Sequence, residues 1–340
     1  MPHTSINDTV KTFASLGKVL FNPSDELNSL INSAEHYNTW FTPDYTKEAI
    51  LAIARSLSEE NLSKWLSAYT DKWSQSDAKT VGLILAGNIP LVGFHDILCV
   101  LISGHKALIK LSSQDNKLIP YILKELIKIN PIYADKFEFI ERLNVFDAVI
   151  ATGSNNSSRY FDHYFGKYPH IIRKNRNSVA VLTGNETPED FNQLGKDIFW
   201  YFGLGCRNVS KLYVPNGYSF IKFFEGIESY KPIIYHNKYA NNFDYNLTLL
   251  MMNRIKYYEN NFLMLSENAG YASPISSLHY EFYEDEAALK QRLKDDAEQI
   301  QCVVSKGGSF GNSLPFGKAQ QPELWDYADG VDTMEFLLEM

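Results

Sequence analysis

A short apolar run that ends in a polar turn, leads into an apolar helix and then repeats is the feature that most constrains this chain. Thr80-Val81-Gly82-Leu83-Ile84-Leu85-Ala86 is the first such run, and it stops at Gly87-Asn88-Ile89-Pro90. The spacing predicts a helix over Val92–Ser103, a second strand at Ala107–Leu111 and a second helix over Lys117–Ile129. Phe146–Ala151 follows as a third strand, closed by Thr152-Gly153-Ser154. Strands that alternate with helices at this interval build βαβ units around a parallel sheet. The pattern then restarts: a strand at Ser178–Leu182, a helix over Pro188–Phe202, a strand at Lys211–Pro215 and a helix over Ser219–Ile227. Two successive α/β domains are expected, 79–177 and 178–315, after a polar helical segment at 1–78. Within that segment Ser24-Asp25-Glu26-Leu27 and the run after Pro43 read as helix starts.

Composition narrows the partners. The 340 residues carry a formal charge of −8, with no basic stripe, which excludes nucleic acid as an expected partner. The longest apolar stretch, Ile89 to Gly104, is interrupted by His95 and Asp96, so no membrane span is expected. The opening residues MPHTSINDTVKTF lack a basic-then-apolar signal pattern. Three cysteines, Cys99, Cys206 and Cys302, are too scattered for a zinc site or a disulfide framework, and no metal is expected. The reading is a cytoplasmic protein with reduced thiols.

One cysteine stands apart. Cys99 and Cys302 lie in apolar runs, where a thiol behaves as a small hydrophobe. Cys206 instead sits in Gly203-Leu204-Gly205-Cys206-Arg207-Asn208, on bare backbone where a substrate can approach and Arg207 can favour the thiolate. Residue type alone leaves a nucleophile and a structural thiol equally open. Asn88 is similarly double-edged, as an amide donor or as a cap for the helix after Pro90. His95 beside Asp96 suggests a catalytic base pair less than it suggests residues facing the domain interior or a partner.

Taken together, these turns resemble the aldehyde dehydrogenase superfamily, and within it the acyl-CoA reductases of the LuxC type. Gly87-Asn88-Ile89-Pro90-Leu91 is similar to the family turn with an asparagine before a proline. Leu108-Ile109-Lys110-Leu111-Ser112-Ser113 is similar to its strand ending in lysine and small residues. Ala151-Thr152-Gly153-Ser154 matches its Thr-Gly-Ser turn, and Gly203-Leu204-Gly205-Cys206 its catalytic loop. The extension Arg207–Pro215 is particularly LuxC-like. The resemblance spans about residues 80 to 335.

It implies a Rossmann-type cofactor domain at 79–177, to which 316–340 return, and an α/β catalytic domain at 178–315. It also implies roles. Cys206 attacks the acyl thioester, expels coenzyme A and holds the acyl group, with the Asn88 amide and the Cys206 N–H as oxyanion donors. Lys110, Ser112, Thr152, Gly153 and Ser154 hold the cofactor, NADPH with NADH as the alternative, and Glu267 touches the nicotinamide ribose. The substrate is acyl-CoA or an acyl carrier, and the product is a fatty aldehyde. An acyl-protein synthetase partner and a homo-oligomer stay open. Two rival readings also stay open: a CoA-acylating aldehyde dehydrogenase using NAD, and a catalytically silent partner subunit.

One departure bears on the reaction. Hydrolytic relatives carry a glutamate base in a Glu-Leu-Gly-Gly motif, where this chain reads Arg173-Lys174-Asn175-Arg176-Asn177-Ser178. Without that acid a deacylating water lacks its base, which favours thiol chemistry over oxidation to free acids. The basic stretch is either a solvated loop or an attractor of coenzyme A phosphates. A Pro315-Phe316-Gly317 segment is expected near the active site.

Overall fold

In the computed structural model, residues 5–73, 77–153 and 155–340 are described, and they divide into two units. The first comprises residues 1–174 and 323–340, the second 175–322.

The first unit opens with helices α1 (Ile6–Phe21), α2 (Asp25–Ser33), α3 (Pro43–Ser56) and α4 (Glu59–Ser67). Each starts where a hydroxyl can accept a free N–H of the first turn: Ser5, Ser24, Thr42 and Ser58. Pro43 at the head of α3 supplies a preset φ where no donor is needed. Strand β1 (Thr80–Ile84) follows, then α5 (Phe94–Ile102), β2 (Lys106–Lys110), α6 (Leu118–Ile129) and the edge strand β3 (Phe137–Phe139). β4 (Ala148–Thr152), α7 (Asn155–Phe165) and β5 (His170–Arg173) complete the sheet. Its order is β3-β2-β1-β4-β5, every pairing parallel. This is the doubly wound Rossmann order, with the strand direction of progress reversing between β1 and β4. β1 and β4 are apolar but for Thr80 and Thr152 at their outer ends because both of their faces are covered.

The N-terminal helices share this unit's core. Phe13, Leu16 and Leu20 of α1 and Trp65 of α4 form one buried cluster with Val81, Leu83, Ile97, Ile109 and Ile122, and with Met334 and Leu337 near the C-terminus.

The second unit is built on a seven-stranded sheet of order β12-β11-β6-β7-β10-β9-β8. The central strands are β6 (Asn177–Val181) and β7 (Val209–Pro215), linked by α8 (Pro188–Phe199). Helices α9 (Ile221–Gly226) and α10 (Asn237–Met252) lead to β8 (Tyr257–Glu259), β9 (Met264–Glu267) and β10 (Ser277–Tyr283). α11 (Glu286–Asp295), β11 (Ile300–Ser305) and β12 (Leu314–Pro315) finish it. All pairs are parallel except β8 with β9. Thr187 and Asp190 form a reciprocal capping box at the head of α8, with Pro188 just inside.

Three expectations are corrected here. The helix read as Pro188–Phe202 stops at Phe199, because Tyr201 and Phe202 adopt left-handed backbone that no α-helix accommodates. Arg173 is not on a solvated loop: it ends β5, buried, its guanidinium paired with Asp96 and donating to Thr333 Oγ1 at 2.9 Å. It is therefore not free for coenzyme A phosphates. Asn88 does not cap the helix after Pro90, since α5 begins at Phe94 behind Gly93.

Candidate functional site

In the first unit, the sheet brings most of the expected cofactor residues to one edge. Register pairs Ile84 with Lys110 on one side and with Ala151 on the other. The turns after β1, β2 and β4 therefore emerge together at the carboxyl ends of adjacent strands, where doubly wound sheets bind ligands. Asn88 lies half-buried in the first turn, Lys110 is exposed at the end of β2, and Ser112 and Thr152 are half-buried. Gly153 follows Thr152, its N–H donating to the Arg173 carbonyl at 3.4 Å. Ser154 lies outside the described residues.

The Asn88 turn is clamped from several sides. A Cβ on Gly87 would stand 2.5 Å from Ser112 Oγ, so only glycine lets the first two turns approach this closely. Asn38 Nδ2 donates to the carbonyls of Gly87 and Gln114, at 3.5 and 3.4 Å. Leu91, with φ of 61°, holds a left-handed conformation that is strained for leucine, and its N–H donates to Asp115 Oδ2 at 2.7 Å. Asp115 is buried; burial pushes its pKa up to about 6, opposed by backbone donors at Leu91 and Leu118. His95 and Asp96 do not act as a pair. The His95 Nε2 hydrogen-bonds the Leu324 carbonyl at 2.9 Å, while Asp96 is occupied by Arg173.

In the second unit, Cys206 is exposed on a loop of unusual backbone. Tyr201, Phe202 and Gly203 are left-handed in succession, with φ of 50°, 57° and 77°. The two aromatic side chains are buried, and Phe202 lies against His236 with ring centroids 4.3 Å apart. Burial of these rings offsets the local strain. Asn208 closes the loop. Its Oδ1 accepts the Gly205 N–H at 2.8 Å, and its Nδ2 lies 3.1, 3.3 and 2.8 Å from the carbonyls of Asp197, Ile198 and Trp200. One buried side chain thus satisfies the open carboxyl end of α8 and fixes the loop that follows it. The Cys206 carbonyl accepts from Ser178 Oγ at 3.0 Å, which ties it to β6.

Arg207 has a structural partner: its Nε donates to the Ala319 carbonyl at 2.5 Å. Asp197, fully buried in α8, accepts the N–H groups of Gly317 and Ala319 at 2.6 and 3.0 Å. The Pro315-Phe316-Gly317 segment and the Cys206 loop are thereby sewn to one helix end. Burial raises the Asp197 pKa to about 7, with the two backbone donors pulling the other way. A small pocket of about 30 Å³ lies beside the loop, lined by Ile198, Phe202, Gly203, Ser210, Tyr239 and Ile275 among others. Glu267 is exposed at the end of β9. Cys302 is half-buried, its Sγ 3.0 Å from Ser178 Oγ.

Asn208, Asp197 and Asp115 were not singled out by sequence reasoning. An Asn two residues past a candidate nucleophile is a signal; a lone Asp inside an amphipathic helix is not. Among the described residues, no three His, Cys, Asp or Glu side chains gather as a metal site, and no helix is long and apolar enough to cross a membrane.

A Rossmann-ordered sheet followed by a second α/β unit with an exposed loop cysteine defines the aldehyde-dehydrogenase fold. Solved structures share it. An NAD-dependent aldehyde dehydrogenase from Sinorhizobium meliloti superposes with a TM-score of 0.68 at 10% identity, over 94% of this chain and 72% of that one. The P. syringae indole-3-acetaldehyde dehydrogenase AldA, in complex with NAD+ and IAA, gives 0.67 at 13% identity, over 93% and 75%. Aldehyde dehydrogenase 21 from Physcomitrella patens, in complex with the reaction product succinate, gives 0.66 at 12%, over 89% and 73%. More particularly, residues 57–219 match the family model of the acyl-CoA reductases (LuxC), a span that includes both the Asn88 turn and the Cys206 loop. No curated protein matches in sequence. Family match and fold together support an oxidoreductase acting on the aldehyde group.

Proposed function

We propose that this chain reduces an acyl thioester, acyl-CoA of long chain, to the aldehyde with NADPH, through an acyl group held on Cys206. The observation that carries the reading is the Cys206 loop: an exposed thiol on backbone locked by Asn208 and Ser178, inside the segment that matches acyl-CoA reductases. A nucleophile must be reachable yet fixed in position, and this loop meets both needs.

The Cys206 thiolate adds to the thioester carbonyl; the C–S bond to coenzyme A breaks, and the released thiolate takes up a proton. The Cys206 N–H and the Asn88 amide are assigned to the developing oxyanion, each donor worth on the order of 10²–10³ in turnover. The turns after β2 and β4 suit a dinucleotide: an exposed Lys110 cation, the Ser112 and Thr152 hydroxyls, and Gly153 at the reversal of strand order, while Ser154 is assigned to the same role on its place in the Thr-Gly-Ser motif alone. The AldA structure is a complex with NAD+, which supports a nicotinamide cofactor on this fold. When bound, such a cofactor supplies the hydride and with it the two reducing electrons. Cys206 then leaves as thiolate when the hemithioacetal on its sulfur collapses to aldehyde. Glu267 is assigned to the nicotinamide ribose.

The test is the intact mass after incubation with hexadecanoyl-CoA and no reductant, with Cys206→Ser alongside, followed by NADPH or NADH. A wild-type adduct that the reductant discharges as hexadecanal is the expected result. No adduct across acyl-CoA chain lengths would overturn the reading and point to a catalytically silent subunit.

A further inference from the structure

Parallel neighbours in a sheet need a crossover, and a helix commonly provides it because a helix satisfies its own backbone. β9 and β10 are parallel neighbours, yet residues 268–276 join them without any helix or strand. The carbonyls of this crossover must find donors elsewhere, and the sheet supplies them. Lys211 Nζ donates to the Ala269 carbonyl at 2.7 Å, His279 Nδ1 bonds the Gly270 carbonyl at 2.9 Å, and Ser210 Oγ donates to the Tyr271 carbonyl at 2.7 Å. Two of these three donors stand on β7, directly after the Cys206 loop.

Lys211 is the costly member. Its side chain is completely buried, with its ammonium 4.9 and 5.0 Å from the ring centres of Tyr213 and Tyr271. Its other partner is Glu281 Oε2 at 2.7 Å. Glu281 already has a cation in Arg292, so it does not need a second one inside the protein. Burial draws the Lys211 pKa below the usual lysine value, with Glu281 opposing. An apolar residue of similar length would fill the same space without that desolvation cost. What it could not do is hold the Ala269 carbonyl, two residues beyond Glu267.

We propose that Lys211 is a positioning residue for the Glu267–Gly270 segment, setting where Glu267 stands and thereby the affinity for the nicotinamide cofactor. The inference rests on the assignment of Glu267 to the ribose. Ser210 and His279 hold the next two carbonyls of the same crossover.

The direct test is fluorescence titration of the whole protein with NADPH and no acyl substrate, beside the rate of Cys206 acylation by hexadecanoyl-CoA without reductant. In Lys211→Met the dissociation constant for NADPH rises about tenfold, the scale of lost support behind a contacting group. Acylation of Cys206 stays within about twofold, and Lys211→Arg recovers most of the NADPH affinity. Glu267→Gln raises the NADPH dissociation constant to a similar extent. Unchanged NADPH affinity in Lys211→Met would overturn the proposal. So would equal losses in acylation and NADPH binding that Lys211→Arg fails to rescue, since that pattern marks a general structural role. Should Lys211→Met not fold, Ser210→Ala decides, with a smaller shift in the same direction expected and no shift counting against. Wild type that binds NADPH but forms no adduct removes the reductase reading and leaves Lys211 to be judged on the titration. Wild type that binds neither NADPH nor NADH removes both.

Discussion

The Asn88 turn of the first unit and the Cys206 loop of the second are held by the same device, a buried aspartate accepting backbone N–H groups. They use it differently. Asp115 takes the Leu91 N–H with Oδ2, and its Oδ1 has no hydrogen-bond partner among the described residues. Asp197 commits each oxygen to a separate donor, Gly317 and Ala319. Asp115 binds a turn only one βαβ unit away. Asp197 binds a segment that lies 120 residues further along the chain. A turn at the end of a sheet strand is largely placed by the sheet itself, and Asp115 and Asn38 need only clamp it. A loop following a helix end has no such frame, and its position depends on its own and the helix's side chains, Asn208 bound to the end of α8 and Arg207 and Asp197 bound to the distant backbone of Gly317 and Ala319.

That contrast predicts unequal sensitivity. The largest effect is expected in Asn208→Ala, which strips donors from the end of α8 and the acceptor from Gly205. Leaving several buried polar groups unpaired should cost roughly 3 kcal/mol, read as a lowered urea midpoint. The alkylation rate of Cys206 by iodoacetamide should change with it, because the thiol loses its fixed frame. A midpoint within about 0.5 kcal/mol of wild type would mean that the loop is held by its buried rings instead. Gly87→Ala ranks next, at about 1–3 kcal/mol, because its methyl meets Ser112 Oγ at 2.5 Å. Ser112→Gly in the same chain should restore most of that loss. Failure of the rescue would show that the glycine is needed for backbone freedom and not for the close approach.

The same contrast explains what was legible. The inner strands β1, β2, β4, β6 and β7 are readable because parallel strands buried on two faces are short apolar runs, as Val81–Ile84 and Ala148–Ala151 are, whereas β3, β8, β9 and β10 carry no such run. Strand β5 was hidden because Arg173 gives it a basic ending; its charge is neutralised by Asp96, 77 positions earlier, which no local window reveals. Helix α8 was read too long for a similar reason: Tyr201 and Phe202 suit a helix by pattern, and their left-handed backbone is imposed by burial. Of the site, the turns bearing Asn88, Lys110 and Gly153 and the Cys206 loop announce themselves through glycine and polar punctuation. The residues that fix them do not. Lys211 reads only as the first residue of a strand, and its bond to the Ala269 carbonyl 58 positions on has no local signal.

The smallest effect is in the pH dependence of stability, and it separates the two aspartates directly. Both have folded pKa values above the unfolded value of 3.8, at about 6 for Asp115 and about 7 for Asp197. Between the unfolded and folded values the native state therefore holds more protons than the unfolded chain, and stability falls as pH rises. The sign is opposite to that of an ion-paired carboxylate. Each group can contribute at most about 1.4 kcal/mol per pH unit, and only inside its own window. Asp115 should act up to about pH 6, Asp197 up to about pH 7. Urea midpoints at half-unit steps from pH 5 to 8, for wild type, Asp115→Asn and Asp197→Asn, resolve the two. Asparagine cannot titrate, so each variant carries a constant offset, and the difference curve from wild type isolates the missing proton. The Asp197→Asn difference should still be changing between pH 6 and 7, where that of Asp115→Asn has levelled. If the order is reversed, the doubly bonded aspartate is the better stabilised anion, and the hydrogen bonds from Gly317 and Ala319 outweigh burial at the end of α8.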